Sequence, residues 1–211
     1  MASSEGQVTG TGRPERIRAF FALDPPAETI ATVDAWQRLA LPGRAGMRAV
    51  DPRELHLTLA FLGDRGDGEI ERARDVLANL DAAGPVTVRL GTRPAGLPRR
   101  RPRVVAFDAE GAMMAALQGG LADRLVAAGL IERRESDGRP FRPHLSVARV
   151  RGDPGDWRSR RAAIAGLPPL SDGEGHTFDA VRVALYRSEL RSQGARYSAL
   201  ADVELPHRGG G

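Results

Sequence analysis

Apolar and polar positions along this chain fall into short strand-length runs separated by longer segments of helical spacing. Arg16 to Leu23 (RIRAFFAL) is a strand-length apolar run, and Asp24-Pro25-Pro26 turns it into an amphipathic helix from about Ala27 to Leu39. A loop over Pro42 to Gly46 and a short extended piece at Met47 to Val50 lead into a strand over Glu54 to Leu62, closed by Gly63. A second helix is expected over Asp67 to Ala82. Two strands, Pro85 to Leu90 and Arg103 to Asp108, follow with an arginine-rich loop between them, and a third helix over Met113 to Ala128 stops at Gly129. Glu132 to Arg142 is charged and turn-like. Pro143 then opens a strand over His144 to Val150, a position where proline is tolerated. A short helix near Trp157 to Ala165 and two strands, Thr177 to Ser188 and Ala195 to Leu205, complete the pattern, with Arg208 to Gly211 as a frayed end.

Strands and helices mix here without strict alternation, which argues for an α+β fold with antiparallel sheet over a doubly wound parallel sheet. Two of the strands carry nearly the same residues: His56-Leu57-Thr58-Leu59 and His144-Leu145-Ser146-Val147, 88 positions apart. Each follows a helix. The repetition points to two pseudo-symmetric lobes of antiparallel sheet, helices on the outer faces and a cleft between the inner ones.

Alternation in a strand puts His56 and Thr58 on one side and Leu57, Leu59 and Phe61 on the other. Each copy of the motif therefore offers an imidazole and a hydroxyl together. Brought face to face, two such pairs supply a general acid, a general base and two hydrogen-bond donors for an anion, the set that phosphate ester chemistry requires. A lone strand histidine is usually just a hydrogen-bonded, half-buried side chain, but two of four histidines matching this pattern by chance is on the order of one in a thousand. His176 and His207 lack the pattern and read as structural. Phe20, Phe21 and Phe61 read as core residues rather than stacking platforms for a base.

Composition narrows the chemistry further. The 211 residues contain no cysteine, which excludes disulfides, thiolate metal sites and thiol nucleophiles. There is no lysine either, so every basic charge is an arginine, and the net charge of +4 permits an acidic substrate without demanding nucleic acid. The densest basic stretch, Arg93 to Arg103, reads either as a solvated loop or as an arm that tracks phosphates on RNA. No apolar run approaches the length of a membrane span, and Met1 to Glu15 is polar with no hydrophobic signal core, so a cytoplasmic location is expected.

At the two histidine motifs the chain resembles the two-histidine (2H) phosphoesterase superfamily, and within it the bacterial and archaeal RNA 2',3'-cyclic phosphodiesterases, also described as 2'-5' RNA ligases. The resemblance runs from about Arg16 to Leu205. It includes Arg18-Ala19-Phe20-Phe21-Ala22-Leu23-Asp24, the extended form Leu55 to Gly63 (LHLTLAFLG), Arg139-Pro140-Phe141-Arg142-Pro143-His144, and Leu185 to Leu200 with Ser188, Leu190, Gly194 and Tyr197. It implies one bilobal domain over 16–205, with tails at 1–15 and 206–211, and hydrolysis of a terminal RNA 2',3'-cyclic phosphate to a 2'-phosphate without a metal or other cofactor. His56 matches the family's proton donor and His144 its proton acceptor, while Thr58 and Ser146 match hydroxyls that contact the phosphate. Ser146 stands where the family usually has threonine; the hydroxyl is kept, on a freer rotamer.

Arg149 matches a basic position of the family and is a candidate phosphate-binding guanidinium. Strand parity places it opposite His144, so it reaches the cleft only if the strand twists or bulges. Arg142 has the right parity and is the second candidate. Three other readings compete. A zinc site fails because two histidines without a matching acidic or thiol cluster are too few ligands. A non-catalytic RNA-binding module rests on the arginine loop, and a 2H activity on a small cyclic nucleotide or a 2'-5' linked oligomer would share the same motifs. RNA is the expected partner; no obligate protein partner is evident, and a monomer is the default.

Overall fold

The computed structural model describes residues 16–44, 46–81, 84–132, 141–151, 156–171, 173, 175–191 and 194–206. The expected tail over 1–15, most of the charged segment before Phe141, and His207 to the end lie outside these residues. Among these residues nine strands and four helices follow one another as β1 (Ile17–Asp24), α1 (Ala27–Ala40), β2 (Met47–Ala49), β3 (Leu57–Arg65), α2 (Asp67–Ala78), β4 (Thr87–Leu97), β5 (Val104–Glu110), α3 (Ala112–Ala127), β6 (His144–Val150), α4 (Trp157–Ala165), β7 (His176–Asp179), β8 (Arg182–Arg191) and β9 (Gly194–Glu204). A single 3-10 turn, Pro52–Glu54, precedes β3.

Every strand pair among the described residues is antiparallel, and the strands run across the sheet in the order β7, β4, β5, β6, β3, β1, β8, β9, with β2 added on β6. This is the α+β arrangement in two halves that the sequence implies. Each half begins at the centre with a motif strand, β3 or β6, and the ladder between these two strands is the single pair Leu57 and Leu145. Both leucines are fully buried. They belong to one hydrophobic core that runs behind both halves, where α1 packs Trp36 edge-on against Phe107 of β5 at 5.0 Å between ring centroids.

Local chemistry accounts for several boundaries. α3 ends where Gly129 takes a positive φ of 66°, and the amides of Gly129 and Leu130 return to the carbonyls of Val126 and Leu125. That pattern satisfies the last carbonyls of a helix, and only glycine enters it without strain.

Other boundaries depart from the expectations. β3 starts after the 3-10 turn and continues through Gly63 to Arg65, Gly63 taking a positive φ of 75° beside a register shift in the pairing with β1. The apolar stretch 177–188 is two strands, because the chain leaves β4 after Asp179 and joins β1 at Arg182 on the far side of the sheet. The first part of the arginine-rich segment is strand, β4 running to Leu97 in pairing with β5, while 98–103, with Arg99-Arg100-Arg101, remain as loop.

Candidate active site

The central pair Leu57 and Leu145 fixes the geometry of the two motifs. Both leucines point into the core, so His56, Thr58, His144 and Ser146 share the opposite face, and all four are half-buried there. Continuing the antiparallel register places His56 on the Ser146 side and Thr58 on the His144 side. The structure thus brings the four residues together.

Each imidazole is held in the same way. Nδ1 of His56 donates to the backbone carbonyl of Glu54 at 2.8 Å, and Nδ1 of His144 donates to that of Arg142 at 3.0 Å. In both cases the acceptor lies two residues upstream. A carbonyl can only accept, so Nδ1 carries a proton in each ring and Nε2 is left as the group that can give or take one.

The surroundings of the two rings differ. His56 sits among Phe20 and Tyr197, each 5.0 Å away between centroids, with Tyr186 at 6.5 Å. Burial holds its pKa below the usual imidazole range; the bond to Glu54 and the Asp24 carboxylate oppose this, and the charges of Arg149 and His144 add to it. Asp24 is itself fixed by Arg182 Nε at 2.5 Å and by the Tyr186 hydroxyl at 2.7 Å. Tyr186 and Tyr197 are both pushed up by burial and stay neutral.

His176 is also pushed down by burial, and its Nε2 meets the Thr29 hydroxyl at 2.9 Å, a structural pairing as expected. Both histidines bind protons more weakly folded than unfolded. The stability they contribute is therefore present above the ordinary imidazole pKa of about 6.5 and is lost as pH falls below it. Urea unfolding should show a lower midpoint at pH 5.5 than at 7.5, and His56→Asn should shrink that difference.

Arg149 reaches the cleft face because β6 bulges. Ser146 pairs with Ala106 and Ala148 with Val105, which leaves Val147 as an extra residue. Val147 and Ala148 are both fully buried, and Arg149 returns to the side of His144. The bulge is held from behind: the Val147 carbonyl accepts from Gln37 Nε2 of α1 at 2.7 Å and from the Val50 amide at 3.0 Å. Arg149 lies close enough to both His56 and Tyr197 to lower the pKa of each. No carboxylate pairs with it among the described residues.

Arg142 stands differently. It grips Asp108 through two nitrogens at 3.0 to 3.3 Å, and Arg99 of the arginine loop lies 3.5 Å from the same carboxylate.

Two further expectations change. Phe61 is 69% exposed, not core: a bulge at Leu59 shifts its parity and pairs it with Phe20 on the cleft face, 6.1 Å away. Phe20 is buried on that same face rather than in the main core, and of the three phenylalanines Phe21 alone belongs to the core. Sequence reasoning also missed Glu54 as a structural carboxylate. It is 8% exposed, accepts from the Tyr197 amide at 2.9 Å and so ties β9 to the residue whose carbonyl orients His56. Nothing in its spacing announces this.

The sequence model of the 2'-5' RNA ligase superfamily matches residues 25–190, most of the chain and both motif strands. The chain belongs to this superfamily. Curated relatives include the RNA 2',3'-cyclic phosphodiesterases of Thermus thermophilus, 31% identical over 90% of this chain and 90% of that one, and of Methanothermobacter thermautotrophicus, 31% identical over 90% and 98%. The protein of that name from Escherichia coli K12 is 30% identical over 88% and 95%. Similar solved structures include a Thermus thermophilus protein, with a TM-score of 0.70 and 27% identity over 90% of this chain and 99% of that one. Another is Escherichia coli LigT complexed with 3'-AMP, with a TM-score of 0.65 and 26% identity over 90% and 98%. This member of the superfamily thus keeps both histidine motifs on one cleft face. No helix among the described residues is long and apolar enough to cross a membrane.

Proposed function

We propose that this chain hydrolyses RNA 2',3'-cyclic phosphate ends to 2'-phosphates by proton transfer between two histidines, acting as a monomer in the cytoplasm. The observation that carries the reading is the matched pair of imidazoles on one cleft face, each with Nδ1 spent on a backbone carbonyl and Nε2 available. Curated relatives named for this reaction, aligned over most of their length, support the choice of substrate.

In this mechanism neutral His144 takes a proton from water as the water oxygen bonds to phosphorus. The bond from phosphorus to O3' breaks, and protonated His56 gives its Nε2 proton to O3', so that the phosphate stays on O2'. The Thr58 and Ser146 hydroxyls donate to the non-bridging oxygens, and Arg149 balances the negative charge that builds there. A 5'-hydroxyl in place of water would give a 2'-5' linkage, which makes ligation a companion reaction of the same site.

The roles set the pH dependence. One histidine must be charged and the other neutral, so kcat/KM should follow a bell. Its acid limb should lie below the usual imidazole range, because burial lowers the pKa of His56. Rates of hydrolysis of an RNA 2',3'-cyclic phosphate end, measured in EDTA from pH 4.5 to 9 with the product isomer identified, test the reading. A monotonic profile with chemistry rate-limiting, a 3'-phosphate product, or loss of activity in the chelator would each refute it.

A further inference from the structure

The same face continues past Arg149 into an open groove of about 1200 Å³, of whose lining the mechanism uses Arg149 alone. That exceeds the roughly 300–1,000 Å³ usual for a small-molecule site. Seven arginines line it against three carboxylates: Arg38, Arg48, Arg53, Arg149, Arg151, Arg191 and Arg196 face Asp34, Asp51 and Glu54. The carboxylates are already engaged. Asp34 pairs with Arg38, while Arg196 takes both Asp51 and Glu54. Arg48, Arg53, Arg149 and Arg151 have no acidic partner among the described residues.

Arg48 is the most informative of these. β2 pairs with β6 so that Arg48 lies directly across from Arg149, which places the two guanidiniums on one face as cross-strand neighbours. Like charges in that position repel and destabilise a sheet. An anion between or beside them would reverse the sign of the interaction, and a phosphate diester suits the planar guanidinium best.

We propose that Arg48 and the groove beyond it bind the phosphodiester upstream of the reacting end, making the substrate an RNA strand rather than a single cyclic nucleotide. The inference rests on the reading that Arg149 meets the reacting phosphate. It adds that a second phosphate, one nucleotide back, meets Arg48, and that the remaining arginines extend the path.

The test compares a trinucleotide ending in a 2',3'-cyclic phosphate with adenosine 2',3'-cyclic phosphate. Wild-type kcat/KM should favour the trinucleotide by at least about tenfold, and Arg48→Gln should remove most of that preference, with Arg48→Lys in between. Binding of a fluorescein-labelled trinucleotide ending in a 2'-phosphate, followed by anisotropy against salt, gives an independent readout. Each lost phosphate contact lowers the salt slope by about 0.7 for a single strand, and Arg48→Gln should show that drop. A thermal melt of each variant separates misfolding from lost contact. No preference in the wild-type protein, or a preference and salt slope that Arg48→Gln leaves in place, would overturn the proposal. Should the protein hydrolyse neither substrate, the reading of its function fails, and the anisotropy arm decides the groove alone.

Discussion

Replacing either cleft histidine by alanine should lower kcat for an RNA 2',3'-cyclic phosphate end by about 10²–10⁴-fold, the range expected for loss of a positioned acid or base. The double variant should be little worse than the single ones, because the two groups act in one step and their effects do not add. Neither change should unfold the protein. Both rings are half-buried on the cleft face and make one side-chain hydrogen bond each, to a backbone carbonyl that water can reach once the ring is gone. Single-turnover rates with circular dichroism controls check this, and a double variant that retained near wild-type turnover would remove the histidines from the chemistry. The non-catalytic RNA-binding alternative predicts instead that the wild-type protein has no turnover and that RNA binding survives both substitutions.

Arg149 and Arg142 should separate just as clearly. Arg149→Gln should reduce kcat by about 10²–10³-fold, comparable to removing a preorganised donor from a developing oxyanion. Arg142 is tied to Asp108 in an exposed ion pair, a type worth no more than about 1 kcal/mol, so Arg142→Gln should change the rate by about fivefold at most. Measuring kcat and KM for both variants on one substrate gives the ranking; equal effects, or a larger loss for Arg142→Gln, would reverse the assignment.

Most of the site could be read from the sequence because its signal is local. Two His-x-hydroxyl strands in a chain with four histidines are visible without any tertiary information, and strand alternation alone assigns their faces. The positions whose side strand alternation leaves open sit where the ladder slips. Val147 and Ala148 look like ordinary strand residues, with no glycine to mark a bulge, yet the extra residue there decides where Arg149 points. The bulge at Leu59 does the same for Phe61, and hydrophobic character then suggested burial for a ring that is largely in solvent.

Long-range partners were invisible for a different reason. Asp24 meets Arg182 across 158 positions, and Glu54 meets the amide of Tyr197 across 143, so no window of sequence contains both members. The split of the 177–188 run has a topological cause, since the run contains no glycine or proline to mark a break and only the sheet order separates β7 from β8.

The amide of Gln37 gives α1 a hold over a guanidinium it never touches. Grafted into another scaffold without that helix, β6 would relax toward regular alternation and present Val147 or Val150 at the mouth of the cleft, with its cation turned to the rear. Substitutions at position 37, buried under the edge of the groove, therefore belong in the same experimental class as those among the cleft residues, although neither ring touches it.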